Sequence, residues 1–158
     1  MSLDPLAQRR LEALYDLYGE LLDDGPLEDW PALFTEDCTY LVVPRDNFEQ
    51  DLPLAIIRCE SRGMLADRVR SVQETIMFEP RYLRHQITNI RGRAREDGAI
   101  DVIANYLVIE VLPDELPKIL SVGRYLDLVV EEAGELRFAE KWVVYDSVLV
   151  PNTIVYPL

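Results

Sequence analysis

The groups best suited to chemistry are few: one histidine, His85, and two cysteines, Cys38 and Cys59, in 158 residues. An imidazole acting as a general base needs a carboxylate to orient it and a pocket to work in. Asp127, Asp146 and Glu140 are candidates for that carboxylate, because each falls on a strand predicted to neighbour that of His85. The competing reading makes His85 a structural or interface residue between flanking arginines. Cys38 and Cys59 lack a local activating motif and sit within predicted strands, so they read as buried core thiols rather than nucleophiles. One His and two Cys cannot hold an iron–sulfur cluster, a haem pair or a closed zinc site from this chain alone. An iron site of two histidines and a carboxylate is excluded by count. Gly92 and Gly98 are isolated, with no Gly-rich phosphate loop around them.

The second feature is a basic stretch. Arg81, Arg84, Arg91, Arg93 and Arg95 lie within fifteen residues that also carry His85, in a chain of net charge −13. Three readings stand side by side: an anion or phosphate site, a solvated strand face, and ion pairing with the carboxylates of a neighbouring subunit. Strand alternation puts Arg91, Arg93 and Arg95 on one face and Arg84 on the other. Three like charges in a row repel unless they meet carboxylates.

The elements that must position these groups are legible from periodicity. Asp4 is a good N-cap and Pro5 suits the first helical position. Leu11, Leu14, Leu17, Tyr18, Leu21 and Leu22 then recur at helical spacing, until Asp23-Asp24-Gly25-Pro26 stops the helix. A helical turn over 28–34 presents Trp30, Leu33 and Phe34. Strands are predicted over 38–43 and 54–59, separated by a polar loop 45–53, and a helix over 61–73. After a Pro-containing connection at 77–83 the chain turns β: strands over 84–95, 99–112, 118–130 and 136–148, joined by turns at Glu96-Asp97-Gly98, Pro113–Pro117 and Glu132-Ala133-Gly134-Glu135. The tail 149–158 is expected to be extended. Helices first and an antiparallel meander afterwards is an α+β layout in one domain, residues 1–158. On the strand 99–112, Ala104, Tyr106 and Val108 share one face, and Ile103, Leu107, Ile109 and Val111 the other, so both faces need cover. The helices cover one; a partner subunit is the simplest cover for the second, and a curled sheet closing on itself would also serve.

Composition narrows the partners. An acidic chain with one short basic stretch argues against nucleic acid. No apolar run approaches the ~20 residues of a membrane span. The N-terminus lacks a basic and then apolar leader, and two free cysteines fit a reducing compartment, so a cytoplasmic location is expected. Fourteen arginines against two lysines favour bidentate, partly buried ion pairs.

At this point the order of short motifs becomes informative. Leu21-Leu22-Asp23-Asp24, Trp30, Leu33-Phe34-Thr35-Glu36-Asp37 and Tyr40, then Asp67-Arg68-Val69, Arg84-His85 with Asn89, Gly123-Arg124-Tyr125-Leu126-Asp127 and finally Asp146 resemble the β (small) subunit of Rieske-type aromatic-ring-hydroxylating oxygenases along almost the whole chain. Pro44-Arg45-Asp46-Asn47-Phe48-Glu49-Gln50, Glu60-Ser61 with Met64, and Tyr145-Asp146-Ser147 followed by Pro151-Asn152 and Tyr156-Pro157 look most like salicylate 5-hydroxylase small subunits, with those of terephthalate and anthranilate dioxygenases as near relatives. In Glu79-Pro80-Arg81-Tyr82 the chain departs from the small polar residues expected there. The resemblance implies a cone-shaped, nuclear-transport-factor-2-like (cystatin-like) fold, in which a strongly curved antiparallel sheet wraps the N-terminal helices. It implies a non-catalytic subunit without a cofactor, trimeric and joined to a catalytic α subunit in an α3β3 assembly. The Rieske cluster and the mononuclear iron would belong to that α subunit. It also implies that Arg68, Arg84, His85, Arg124, Asp127 and Asp146 form a buried charged network at subunit contacts, with Trp30, Trp142 and Tyr106 as packing residues. Two alternatives remain on the residues alone. One is a standalone dehydratase or isomerase of the same fold using His85 with an acidic partner; the other is a small-molecule binding module.

Overall fold

A computed structural model of the chain describes residues 1–52, 54–78, 80–147 and 156–158. Helix α1 runs over Pro5–Asp23, and its start is as the sequence dictates: Asp4 Oδ1 accepts hydrogen bonds from the Leu6 and Ala7 amides at 2.9 and 3.0 Å, with Pro5 in the first turn. Gly25, at φ +77°, closes its far end in the left-handed region. A 3-10 turn over Leu27–Leu33 leads into strand β1 (Phe34–Pro44). Helix α2 (Arg45–Glu49) stands where the polar loop was expected, its Arg45–Glu49 ion pair at 2.8 Å. Strand β2 (Ile57–Cys59) and helix α3 (Arg62–Phe78) follow, the helix running five residues beyond the expected end. The meander is β3 (Tyr82–Ala94), β4 (Ile100–Val111), β5 (Lys118–Glu132) and β6 (Glu135–Tyr145). Ala133 and Gly134, both at positive φ, make the tight β5–β6 turn. Of the expected tail, residues 149–155 lie outside the described residues, as do Val148 and Glu79 of the motifs above.

The six strands form one sheet in the order β2-β1-β6-β5-β4-β3. Pairing is antiparallel except between β1 and β6, which run parallel, so the sheet is mixed. α1 packs on both β3 and β6, three positions apart in the sheet. At about 4.8 Å between strands those positions are about 14 Å apart in a flat sheet, wider than a helix of about 10 Å. The sheet therefore curls around α1. Two glycines permit the close approaches this requires. A Cβ on Gly123 would sit 2.0 Å from the Val144 carbonyl oxygen, and one on Gly92 would sit 2.4 Å from Leu3, where the N-terminal segment crosses β3.

Inside the curl the core is largely aromatic: Tyr15, Tyr18, Trp30, Phe34, Tyr40, Tyr106, Tyr125, Phe138 and Tyr145 are all essentially inaccessible. Trp30 and Tyr106 pack there, whereas Trp142 lies outside against Phe48, ring centroids 5.8 Å apart. Cys38 and Cys59 are buried free thiols. Burial pushes the first up to about 11 and the second upward, which suits core thiols and not nucleophiles.

Candidate functional site

The innermost polar group is a lysine. Lys141, on β6, is wholly buried with its Nζ 2.8 Å from Asp127 Oδ2 on β5, the two residues standing directly opposite in the β5–β6 ladder. The Tyr15 hydroxyl donates to the same carboxylate oxygen. Four rings cage the ammonium: Tyr125 at 3.5 Å, Tyr18 at 4.4 Å, Phe138 at 4.5 Å and Tyr15 at 4.9 Å from Nζ to the ring centre. Burial pushes Lys141 down to about 8, against the pull of Asp127, and burial pushes Asp127 up, against the pull of Lys141. The ring faces favour the cation, and with Lys141 near 8 its ammonium form prevails at neutral pH.

His85 is the second buried group. Its Nδ1 lies 2.5 Å from Asp23 Oδ1, and its backbone amide donates to Asp23 Oδ2 at 2.7 Å. One carboxylate at the last turn of α1 thus holds both the ring and the main chain of β3. The orienting acid is Asp23, and none of the three expected from the sequence takes that role: Asp127 belongs to Lys141, Asp146 pairs with Arg45 at 3.4 Å, and Glu140 lies on the outer face. The His85 Nε2 is buried without a hydrogen-bond partner. The Tyr18 ring stands edge-on to it, centroids 6.4 Å apart.

A general base also needs room for a substrate. The interior is occupied instead by the rings named above and by Tyr156, Pro157 and Leu158, all buried. Leu158 donates its amide to Tyr40 Oη at 2.9 Å, and its carbonyl accepts from Tyr18 Oη at 2.5 Å. What remains at the mouth is a gap of about 50 Å³ lined by Leu22, Asp23, Leu27, Arg81, Leu83 and Tyr156 among others. That is room for a few waters and not for an aromatic substrate. The open apolar cone that a standalone dehydratase or isomerase would need is filled.

The outer face of the sheet is the opposite case. Ile103, Val122 and Ile119 are 41, 42 and 66% exposed there. Leu41, Val43, Leu126, Trp142 and Val144 form a partly covered cluster under Phe48. Arg91, Arg93 and Arg124 stand on the same face and meet no carboxylate among the described residues. Arg84 joins them, contrary to simple alternation. A bulge between Thr88 and Arg91, with Asn89 at φ +53°, resets the parity of β3. Leu83 and His85 point in before it and Gly92 after it, so the arginines on both sides of the bulge point out.

Comparison with known proteins decides what this arrangement belongs to. The family model for the ring hydroxylating beta subunit matches residues 19–152. The small subunit of anthranilate 1,2-dioxygenase from Burkholderia cepacia is 36% identical over 137 residues, 87% of this chain and 85% of that one. The chain belongs to the ring-hydroxylating β-subunit family. A β subunit of terephthalate 1,2-dioxygenase from Comamonas is 26% identical over 94% of this chain and 97% of its own length. A solved β subunit assigned to an aromatic-ring-hydroxylating dioxygenase of Novosphingobium aromaticivorans superposes with a TM-score of 0.85 at 32% identity, covering 96% of this chain and 95% of that one. A protein assigned as scytalone dehydratase from the same organism shares the fold, with a TM-score of 0.73 at 22% identity over 94% and 93% of the two chains. The fold is therefore the α+β cone of the nuclear-transport-factor-2-like type.

Within this β subunit the six residues expected to form one charged network fall into separate places. His85 and Asp127 are buried in two different clusters, with Asp23 and Lys141 respectively. Arg84 is exposed and pairs with Asp24 at 2.7 Å. Asp146 is exposed and pairs with Arg45. Arg124 is half-buried on the outer face, opposite Asn105 and Val144. Arg68, on α3, is half-buried with its Nε enclosed and unpartnered. Two residues that the sequence reading passed over are central. Asp23 was read as part of a helix stop and of the Leu21-Leu22-Asp23-Asp24 motif, and not as the partner of His85. Lys141 shares the inward parity of Val143 and Tyr145 on β6, which was a usable signal. Among the described residues no group of three His, Cys, Asp or Glu side chains is placed to hold a metal ion, and no helix is long and apolar enough to cross a membrane.

Proposed function

We propose that this β subunit is the non-catalytic, structural component of a multicomponent aromatic-acid oxygenase of the salicylate-hydroxylase-like branch, holding an iron-bearing α subunit in place. The observation that carries the reading is the outer sheet face: apolar, half-open and studded with arginines that have no carboxylate partner in a chain of net charge −13. Leaving that face bare is unfavourable, at roughly 25 cal/mol per Å² of apolar surface, so a partner is its natural cover. A second copy of the chain and the α subunit each fit, and a trimeric base under three α subunits uses both. Arg68, Arg84, His85, Arg124, Asp127 and Asp146 enter in different ways. Arg124 reaches a partner carboxylate directly, Arg84 stays on Asp24 and lies at the rim with Arg68 and Asp146, and His85 and Asp127 set the positions of β3 and β5 from inside.

The catalytic metals fit the partner and not this chain. A Rieske centre takes two histidines and two cysteines. The one histidine here is held by Asp23, and both thiols are buried and pushed upward. The relatives named as small subunits of anthranilate and terephthalate dioxygenases support the aromatic-acid class. Light scattering of the isolated chain should give a trimer, and co-expression with a Rieske-type α subunit should give a stable brown hexamer. Arg91→Glu with Arg124→Glu should break the complex while leaving the circular dichroism of the chain unchanged. A monomer that forms no complex with an α subunit, or stoichiometric iron bound by this chain alone, would overturn the proposal.

A further inference from the structure

The outer sheet face carries unpaired charge of both signs, sorted into two halves. In the strand order β2-β1-β6-β5-β4-β3 the positive half lies toward β3. Arg91 and Arg93 on β3 and Arg124 on β5 meet no carboxylate among the described residues. Asp101, in register with Arg93 on β4, is taken by Arg95 at 3.6 Å. The negative half lies toward β1, around α2. Glu140 of β6 borders a depression beside Phe48, Leu126 and Trp142, and Asp51, just past α2, borders another beside Leu41, Val43 and Trp142. Both are exposed, as is Asp46 of α2, and none of the three meets a cation among the described residues. Arg45 of α2 is engaged with Glu49 and Asp146, and Arg58 of β2 with Glu60.

The halves are too far apart to neutralise one another within one copy. Three strand spacings, about 14 Å, separate β3 from β6. Arg124 stands opposite Val144, which is about 13 Å along β6 from Glu140. Turned end for end, a second copy of the same face lays carboxylates over these guanidiniums and guanidiniums over these carboxylates. A partner bearing one sign of charge would satisfy one half and repel the other. The exposed Ile103 and Val122 add apolar contact on the same face. Resting on the reading that a partner covers this face, we propose that the partner at both charged halves is a second copy of this chain: Arg91, Arg93 and Arg124 of one copy meet Asp46, Asp51 and Glu140 of the next. In a closed ring each copy offers its basic half to one neighbour and its acidic half to the other.

The test is charge exchange in the full chain, read by sedimentation velocity with circular dichroism as the check on folding. Arg91→Glu with Arg124→Glu turns the basic half acidic, and Asp46→Lys with Glu140→Lys turns the acidic half basic. Each pair should weaken self-association about a hundredfold or more, because like charges then face each other across the seam. The chain with all four substitutions has its halves exchanged and should recover the parent's association to within about tenfold. Arg9→Glu with Arg70→Glu makes the same change of net charge at exposed positions of α1 and α3 and should leave association unchanged. A folded four-substitution chain that does not recover overturns the proposal, as does an equal loss in the Arg9 and Arg70 control. If the four-substitution chain does not fold, mixing the two half-reversed chains decides. Mixed complexes larger than either chain forms alone support the seam, and their absence overturns it. Co-purification with an α subunit reads the subunit role separately: a chain that binds the α subunit without associating with itself loses the seam and keeps that role.

Discussion

Replacing Lys141 with methionine should be among the most damaging single changes in the chain, and the structure says by how much. The substitution keeps the length of the side chain and removes the ammonium. Asp127 is then left wholly buried with the Tyr15 hydroxyl and the Trp142 backbone as neutral donors and no counter-ion, since Nζ at 2.8 Å was that counter-ion. Breaking one half of a buried pair costs about 3–5 kcal/mol. A second route gives the same size. If Asp127 escapes by taking up a proton, holding it at pH 7 against an ordinary value of 3.8 costs about 4 kcal/mol, at 1.36 kcal/mol per pH unit. Folded domains have about 5–15 kcal/mol in all, so the variant should fold but weakly. The escape route also fixes a pH dependence. A carboxyl raised in the folded state holds a proton that the unfolded chain has lost, so its contribution falls as pH rises above 3.8 and recovers as pH falls. Relative to the parent chain the deficit should shrink by about 2.7 kcal/mol between pH 7 and pH 5. Urea unfolding followed by circular dichroism at the two pH values measures both quantities. The double variant Lys141→Met with Asp127→Asn should regain most of the loss, because the amide still accepts from Tyr15 and no charge is left buried. A single variant within about 1 kcal/mol of the parent, or a deficit that does not change with pH, would refute the assignment of an ionised buried pair.

Other outcomes follow from the same geometry. In the parent chain Lys141 is held at about 8, below its ordinary 10.5, so the unfolded state binds more protons between those values and this group's contribution to stability rises with pH there. The buried phenols of Tyr15, Tyr18 and Tyr125 are raised above 10.0, so their contribution falls above pH 10. Urea midpoints across pH 7–11 should therefore hold or climb and then drop, with the climb absent in Lys141→Met. Asp23→Ala removes the acceptor of both the His85 ring and its amide, and should lower Tm by several degrees, at about 2–4 °C per kcal/mol for a chain of this size. Gly123→Ala drives a methyl into the Val144 carbonyl and should lower soluble yield or Tm more than alanine at the solvent-facing turn residue Gly98 does. Trp142→Arg on the outer face should leave the isolated fold intact by circular dichroism while reducing assembly by light scattering.

What could be read from the sequence was local, and what could not was long-range. The Asp4 cap, the leucine repeat of α1 and the Gly-bearing turns each depend on neighbours within a few residues, and each stands where it was expected. The parallel seat of β1 beside β6 depends on contacts across most of the chain, and no local pattern announces it. The parity of β3 failed for a different reason. One extra residue at Asn89 reverses every side chain beyond it, and a single asparagine in a strand is a weak sign of a bulge. The partner of His85 was missed because Asp23 performs two tasks, ending a helix and anchoring a strand 62 residues away, and only the first is visible in one dimension. Helix α2 was read as loop because five residues with one apolar side chain, Phe48, carry no periodicity.

Among the described residues strand β3 also ends the sheet. An edge strand of thirteen residues, paired among the described residues only near Arg93 and Ala94, is a ready template for a strand from another molecule. The bulge at Asn89 breaks the edge into two shorter runs. The N-terminal residues take up part of the second, where Met1 exchanges hydrogen bonds with Ala94 at 2.9 and 3.2 Å and Ser2 bridges to Arg93. The arginines that crowd this strand set like charges against any second copy stacking edge to edge.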